Sequence, residues 1–256
     1  MKRMFSVNGP FAAVFGVMLL GVSSSNPTAY LYPSLRTGQT IVQSFRSSFG
    51  SEGVHRSVST TIRTTVKSIS GVTARLSYSA SIGDHNITSD QSFDQKNLAA
   101  FDAQGAPKTI HSATYIFYST FLFGTPPSDF HVGSHWTVHL GDAWQLGPPG
   151  DQVVEVVSID DARHSVVLHV HGHGVGPSET QIQHPPVTTG SIDGKSTQLT
   201  TDLGETTWDG VFTIRDGLTE SSTMKVNQKQ VLEKSSLSPA IEQENVTQVD
   251  SRIISF

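Results

Sequence analysis

The stretch VHRSVSTTIRTTVKSISGVTARLSYSASI, residues 54–82, decides the fold class. Its first half sets Val54, Val58, Ile62 and Val66 four apart, with Arg56, Thr60 and Thr64 at the even positions between them. On a helix of 3.6 residues per turn this spacing drifts by about 40° per step, so the apolar stripe would spiral off any one face. The β-branched content decides for a strand. Ser70-Gly71 then makes a turn. In the second half Val72, Ala74, Leu76, Tyr78, Ala80 and Ile82 alternate with Thr73, Arg75, Ser77, Ser79 and Ser81. The whole reads as a long antiparallel hairpin with one apolar face.

The same signals continue along the chain. Asp102-Ala103-Gln104-Gly105 predicts a turn leading into a strand over 109–117. Asp160-Asp161 joins strands over 153–159 and 165–173. Asp193-Gly194 and Asp216-Gly217 are hairpin dipeptides, because glycine tolerates positive φ. Strands over 211–214 and 218–226 flank the latter, and residues 241–254 lean towards strand. A short helix is expected only over 92–100, and loops over 124–127, 147–150 and 185–190.

Two parts of the chain follow one order. In the first, Gly38 precedes Ile41 by three residues, and Val66-Lys67-Ser68-Ile69 leads through a turn into residues 72–78. In the second, Gly133 precedes Trp136 by three, and Val156-Val157-Ser158-Ile159 leads through a turn into residues 166–170. Phe101 with Gly105 and Phe212 with Gly217 continue the parallel. The expectation is an all-β chain of two related curved antiparallel units, residues 26–128 and 129–256, forming a sandwich or a pseudo-symmetric barrel within one structural domain.

Composition narrows the classes. The chain has 256 residues, 36% hydrophobic and 15% charged, with no cysteine. It can build a real core. It has no disulfide scaffold, zinc-thiolate site or cysteine nucleophile. A formal charge of −5 argues against a broad nucleic-acid surface. Lys2 and Arg3, an apolar run over 11–22 and Ser23-Ser24-Ser25 have the order of a secretory signal peptide over 1–25, with cleavage between Ser23 and Asn26. That run is shorter than the ~20 apolar residues a membrane helix needs, and no second run reaches that length. An exported chain without disulfides fits a bacterial protein of the periplasm or the extracellular space. An outer-membrane barrel would carry alternating apolar residues back from its last aromatic residue. Phe256 and Ile254 fit, but Arg252, Asp250 and Gln248 do not.

Histidine is the unusual residue, with 11 in the chain. His131, His135 and His139 share one parity, and Trp136, Val138 and Leu140 hold the other. His169, His171 and His173 likewise oppose Val166, Leu168 and Val170. Both sets should stand on the face opposite the apolar one. His-x-His on a strand aims two rings the same way, about 7 Å apart at the backbone, which suits zinc, copper or nickel. The candidate metal ligands are His135, His139, His169, His171 and His173, with Asp151 and Glu179 as the available carboxylates. The plainer reading is a solvated face of mostly neutral imidazoles.

Hydrolase and nucleotide signals are missing. There is no Gly-x-Ser-x-Gly, no His-Glu-x-x-His and no phosphate loop. Trp136, Trp144 and Trp208 are expected in the core rather than stacked on a sugar. The function expected is that of a non-catalytic exported protein binding a hydrophobic small molecule or an envelope component. A histidine-rich metal-binding protein or metalloenzyme is the alternative, and a structural or adhesive surface protein the third.

Overall fold

A computed structural model describes residues 26–51, 54–82, 85–183, 188–192, 195–233 and 241–255. The expected leader and the Asp193-Gly194 turn lie outside the described residues.

Six strands come first: β1 (Thr40–Ser51), β2 (Val54–Ser70), β3 (Thr73–Ile82), β4 (His85–Asp94), β5 (Ala99–Phe101) and β6 (Pro107–Lys108). A one-turn helix α1 (Thr120–Phe123) lies in the connection to β7 (His135–Leu140), β8 (Gly150–Asp160) and β9 (Ser165–Val175). The short helix α2 (Glu179–Gln183) precedes β10 (Thr188–Ile192), β11 (Lys195–Arg215), β12 (Leu218–Glu233) and β13 (Ile241–Ser255). The protein is therefore all-β. The sheet is antiparallel, in the order β6-β5-β4-β3-β2-β1-β13-β12-β11-β9-β8-β7, with β10 paired to β11 off this path.

That path is open, with β6 at one end and β7 at the other. The two expected units thus share one sheet. Their seam is β1 against β13, from Val42 opposite Ser255 to Gly50 opposite Val246. β13 is long enough to pair along both β1 and β12, which makes the sheet continuous.

Turn chemistry explains most boundaries. Asp216 and Gly217 have φ of 48° and 74°, and Arg215 pairs with Leu218. This is the two-residue hairpin that positive φ at both central positions specifies. A Cβ at Gly217 would also lie 2.0 Å from the backbone nitrogen of Pro33. The 3-10 turn at Pro27–Leu31 packs here, and Gly217 N–H donates to Tyr30 O at 2.7 Å. The loop expected over 185–190 gives way to β10 from Thr188 onward.

One corner occurs twice. Gly38, at φ 85°, donates to Val66 O at 2.8 Å, and Val66 N–H returns a bond to Gln39 O at 2.8 Å. Gly133, at φ 88°, donates to Val156 O at 2.8 Å, and Val156 N–H returns one to Ser134 O at 2.9 Å. A side chain braces each turn: Gln39 Oε1 accepts from Arg36 N, and Ser134 Oγ accepts from His131 N. The β2–β3 register slips between Val66 and Ser68, and the β8–β9 register slips between Val156 and Ser158. Each slip is a bulge that adds local twist just before the hairpin.

Two sequence expectations are corrected. The helix over 92–100 is instead the end of β4, a turn and the start of β5. Asp94 accepts from the backbone N–H groups of Lys96 and Asn97 at 2.9 and 3.0 Å, so its carboxylate closes the turn that a helix would have competed with. The strand over 109–117 is an irregular segment that makes one isolated bridge, Phe117 to Leu218. This connection from β6 to β7 runs through the molecule. Ile116, Phe117, Tyr118, Leu122, Phe123 and Phe130 are buried in it, within the same core cluster as Leu76, Leu168, Phe212 and Met224. Phe117 stacks on Phe93 with centroids 4.2 Å apart. Buried irregular backbone needs partners, and side chains supply them. Tyr118 Oη donates to Gly124 O at 3.0 Å, Trp136 Nε1 to Phe123 O at 2.6 Å, and Gln152 Nε2 to Leu122 O. Trp144 and Trp208 are buried and meet edge to face at 5.5 Å, so these indoles serve the core as expected.

Candidate functional site

The histidine face forms as its parity predicts. His135, His139, His171 and His173 are exposed and His169 is half-buried, while Val138, Leu140, Val166, Leu168 and Val170 are buried on the other side. The two histidine strands are not neighbours, because β8 lies between them. This inserts a carboxylate between two of the histidine pairs. His135 faces Glu155, which faces His169; His139 faces Asp151, which faces His173. The row between runs Thr137, Val153, His171, Asp209.

Two contacts on this face are close. His139 Nδ1 lies 2.8 Å from Asp151 Oδ1, and His169 Nε2 lies 2.8 Å from Asp209 Oδ2. The rings of His169 and His171 are 5.6 Å apart. Among the described residues no three His, Asp or Glu side chains converge closely enough to hold a metal ion. Glu179, on α2, takes no part in these rows. The sequence offers Asp209, with Glu205 and Glu220, as carboxylates able to pair, and does not single out Glu155. The outward parity of Glu155 and Asp209 was readable, but their neighbours depend on the order of strands far apart in the chain.

A second site lies on the inner face of β1–β4. It is a cavity of about 250 Å³ between these strands and the crossing segment. Ile62, Ala80 and Ile87 form its sheet wall, and Ile110 and Ile116 form the wall opposite. The rungs are in register: Gln43 pairs with Ile62, Ile62 with Ala80, and Ala80 with Ile87. Ile87 is exposed and marks the mouth.

The polar groups of this cavity are deeply placed. Gln43 is 2% exposed, and its Nε2 has no hydrogen-bond partner. The hydroxyl of Thr64, fully buried one rung along, also has none. An unpaired buried polar group costs about 1–3 kcal/mol. Gln91 Nε2 donates to both Tyr78 Oη and Tyr115 Oη, the latter at 3.4 Å. Burial pushes the phenols of Tyr78 and Tyr115 well above their ordinary range, so both stay neutral. Among the described residues that line the cavity none is charged.

No protein-family model matches this chain, and no curated protein matches it in sequence. The reading of its function therefore rests on these two sites. Among the described residues no helix is long and apolar enough to cross a membrane.

Proposed function

We propose that this chain is an exported, non-catalytic bacterial protein that binds a hydrophobic small molecule in the cavity between β1–β4 and the crossing segment. One observation carries the reading: an apolar cavity open at Ile87 has an unpaired, buried amide donor, Gln43 Nε2, in its wall. Ligand sites combine mostly apolar walls with a few placed polar groups. Native mass spectrometry of protein purified from its host tests it. The expected result is a small molecule that co-purifies and is lost on denaturation. A bare chain mass, with no thermal stabilisation by any neutral lipid added, would count against it.

Export to the periplasm or extracellular space belongs to the same proposal. It rests on the leader-like order of residues 1–25. Asn26 Oδ1 accepts from Thr28 N at 3.2 Å and Leu31 is fully buried, and cleavage before Asn26 would retain both of these features. The N-terminus of the mature protein, read by mass, checks this. We further infer that the two halves arose by duplication. The repeated glycine corner and the repeated bulge support that reading, because both place the same backbone bonds at matching points of two meanders.

A second reading, a zinc, copper or nickel site on the histidine face, is favoured by the His139–Asp151–His173 row. In the described conformation these three do not converge on one ion. Metal analysis of the His139→Ala/His173→Ala double variant decides, and metal content equal to the parent's would exclude the row.

A further inference from the structure

We infer that the ligand of the inner cavity is a neutral acyl compound, an ester-type carbonyl on an apolar chain, held with its carbonyl oxygen towards Gln43 Nε2. This rests on the ligand-binding reading above and specifies its chemistry.

The polarity of the unpaired group fixes the head. Gln43 offers an amide N–H, a donor, so the ligand must bring an acceptor. The described lining carries no charge, and this fixes the ligand's ionisation. Gln43, Gln91, Tyr78, Tyr115, Ser112 and Thr114 contribute no cation. A carboxylate would then be buried without a counter-ion, which costs far more than burying a neutral carbonyl. The phenols leave this unchanged, since burial keeps both protonated. Gln91 already donates to both phenol oxygens, so these tyrosines are tied to each other and to Gln91. The phenol O–H groups remain donors too, so every polar group turned to the ligand here can donate, and Gln43 Nε2 is the unpaired amide among them, with the unpaired Thr64 hydroxyl one rung away.

The walls fix the tail. From Gln43 the rung runs over Ile62 and Ala80 to exposed Ile87, a continuous apolar path to solvent. At about 250 Å³ the cavity is just below the ~300–1,000 Å³ of drug-sized sites. It therefore suits a carbonyl with a short chain, and a longer chain would leave past Ile87.

Calorimetric titration of the intact mature protein with methyl hexanoate and with hexanoate at neutral pH tests the inference. The ester is expected to bind at least ten-fold more tightly than the carboxylate. Gln43→Leu should weaken the ester about five-fold, the loss of one neutral hydrogen bond, and leave the carboxylate nearly unchanged. Ile87→Asp, at the exposed mouth, should weaken the ester strongly without unfolding the protein. Equal affinity for ester and carboxylate, or undiminished ester affinity in Gln43→Leu, overturns the head-group assignment and leaves the ligand-binding reading standing. Absence of binding by either probe, with the cavity holding water only, overturns both.

Discussion

Gln43 shows how one side chain can set function against stability. Its neighbours at the same parity on β1 are Ile41 and Phe45, both buried and apolar. A leucine at position 43 would continue that run and remove an unpaired amide. Gln43→Leu should therefore raise the stability of the ligand-free protein by about 1–3 kcal/mol, measured by urea unfolding. No gain would mean that the amide is satisfied in solution. Gly217 behaves in the opposite way. Its φ of 74° and the approach of Pro33 leave no room for a methyl group. Gly217→Ala should destabilise by more than the ~1 kcal/mol typical of a strained turn, with increased proteolysis near residues 27–33 as the second readout. Asp94 gives the pH dependence. Hydrogen bonds from the backbone of Asn97, the main cause, lower its pKa from the ordinary value. Its ionised form thus stabilises the fold above the unfolded value near ~3.9, and the contribution fades as pH falls through the lower folded value. Asp94→Asn should be slightly less stable than the parent at pH 7 and equal to it near pH 2. The effect is small because the group is exposed and screened.

At the scale of elements, hairpins were the legible part. Alternation over 72–82 and the Asp-Gly turn at 216–217 are local, and local signals survive into the structure. Residues 109–117 misled because Ile110, Ile116 and Phe117 are strand-forming types used to fill a core. Burial selects apolar residues without regard to backbone shape. Phe117→Ala should cost about 3–5 kcal/mol, since the ring stacks on Phe93 in the fully buried centre. Chemical denaturation would show it, and a cost below 1 kcal/mol would mean that the segment is not core. The site was half legible for the same reason. The outward parity of the histidines could be read, but the partners Glu155 and Asp209 could not, because strand order is non-local. The cavity left no local mark, since Gln43, Ile62, Ala80, Ile87 and Ile116 come from five separate segments, each unremarkable alone. The sandwich or barrel expectation lacked one fact, that β13 pairs with β1 as well as with β12.

For the whole molecule, the seam makes one cooperative unit of the two halves. Trp136, Trp144 and Trp208 all lie after residue 128, so indole fluorescence reports the second half together with the crossing segment, whose Phe123 O accepts from Trp136 Nε1. Far-UV circular dichroism reports both halves. Their denaturation curves should coincide, as two-state unfolding requires, and separated midpoints would show that the halves fold independently. The same seam governs the order of events in the cell. β1 acquires its second neighbour only when Ile241–Ser255 is available, across a sequence separation on the order of 200 residues. The seam cannot close while β13 is still inside the ribosome. On the export proposed above, that delay is useful: β13 acts as a latch that sets the seam only after residues 241–255 have followed β1 across.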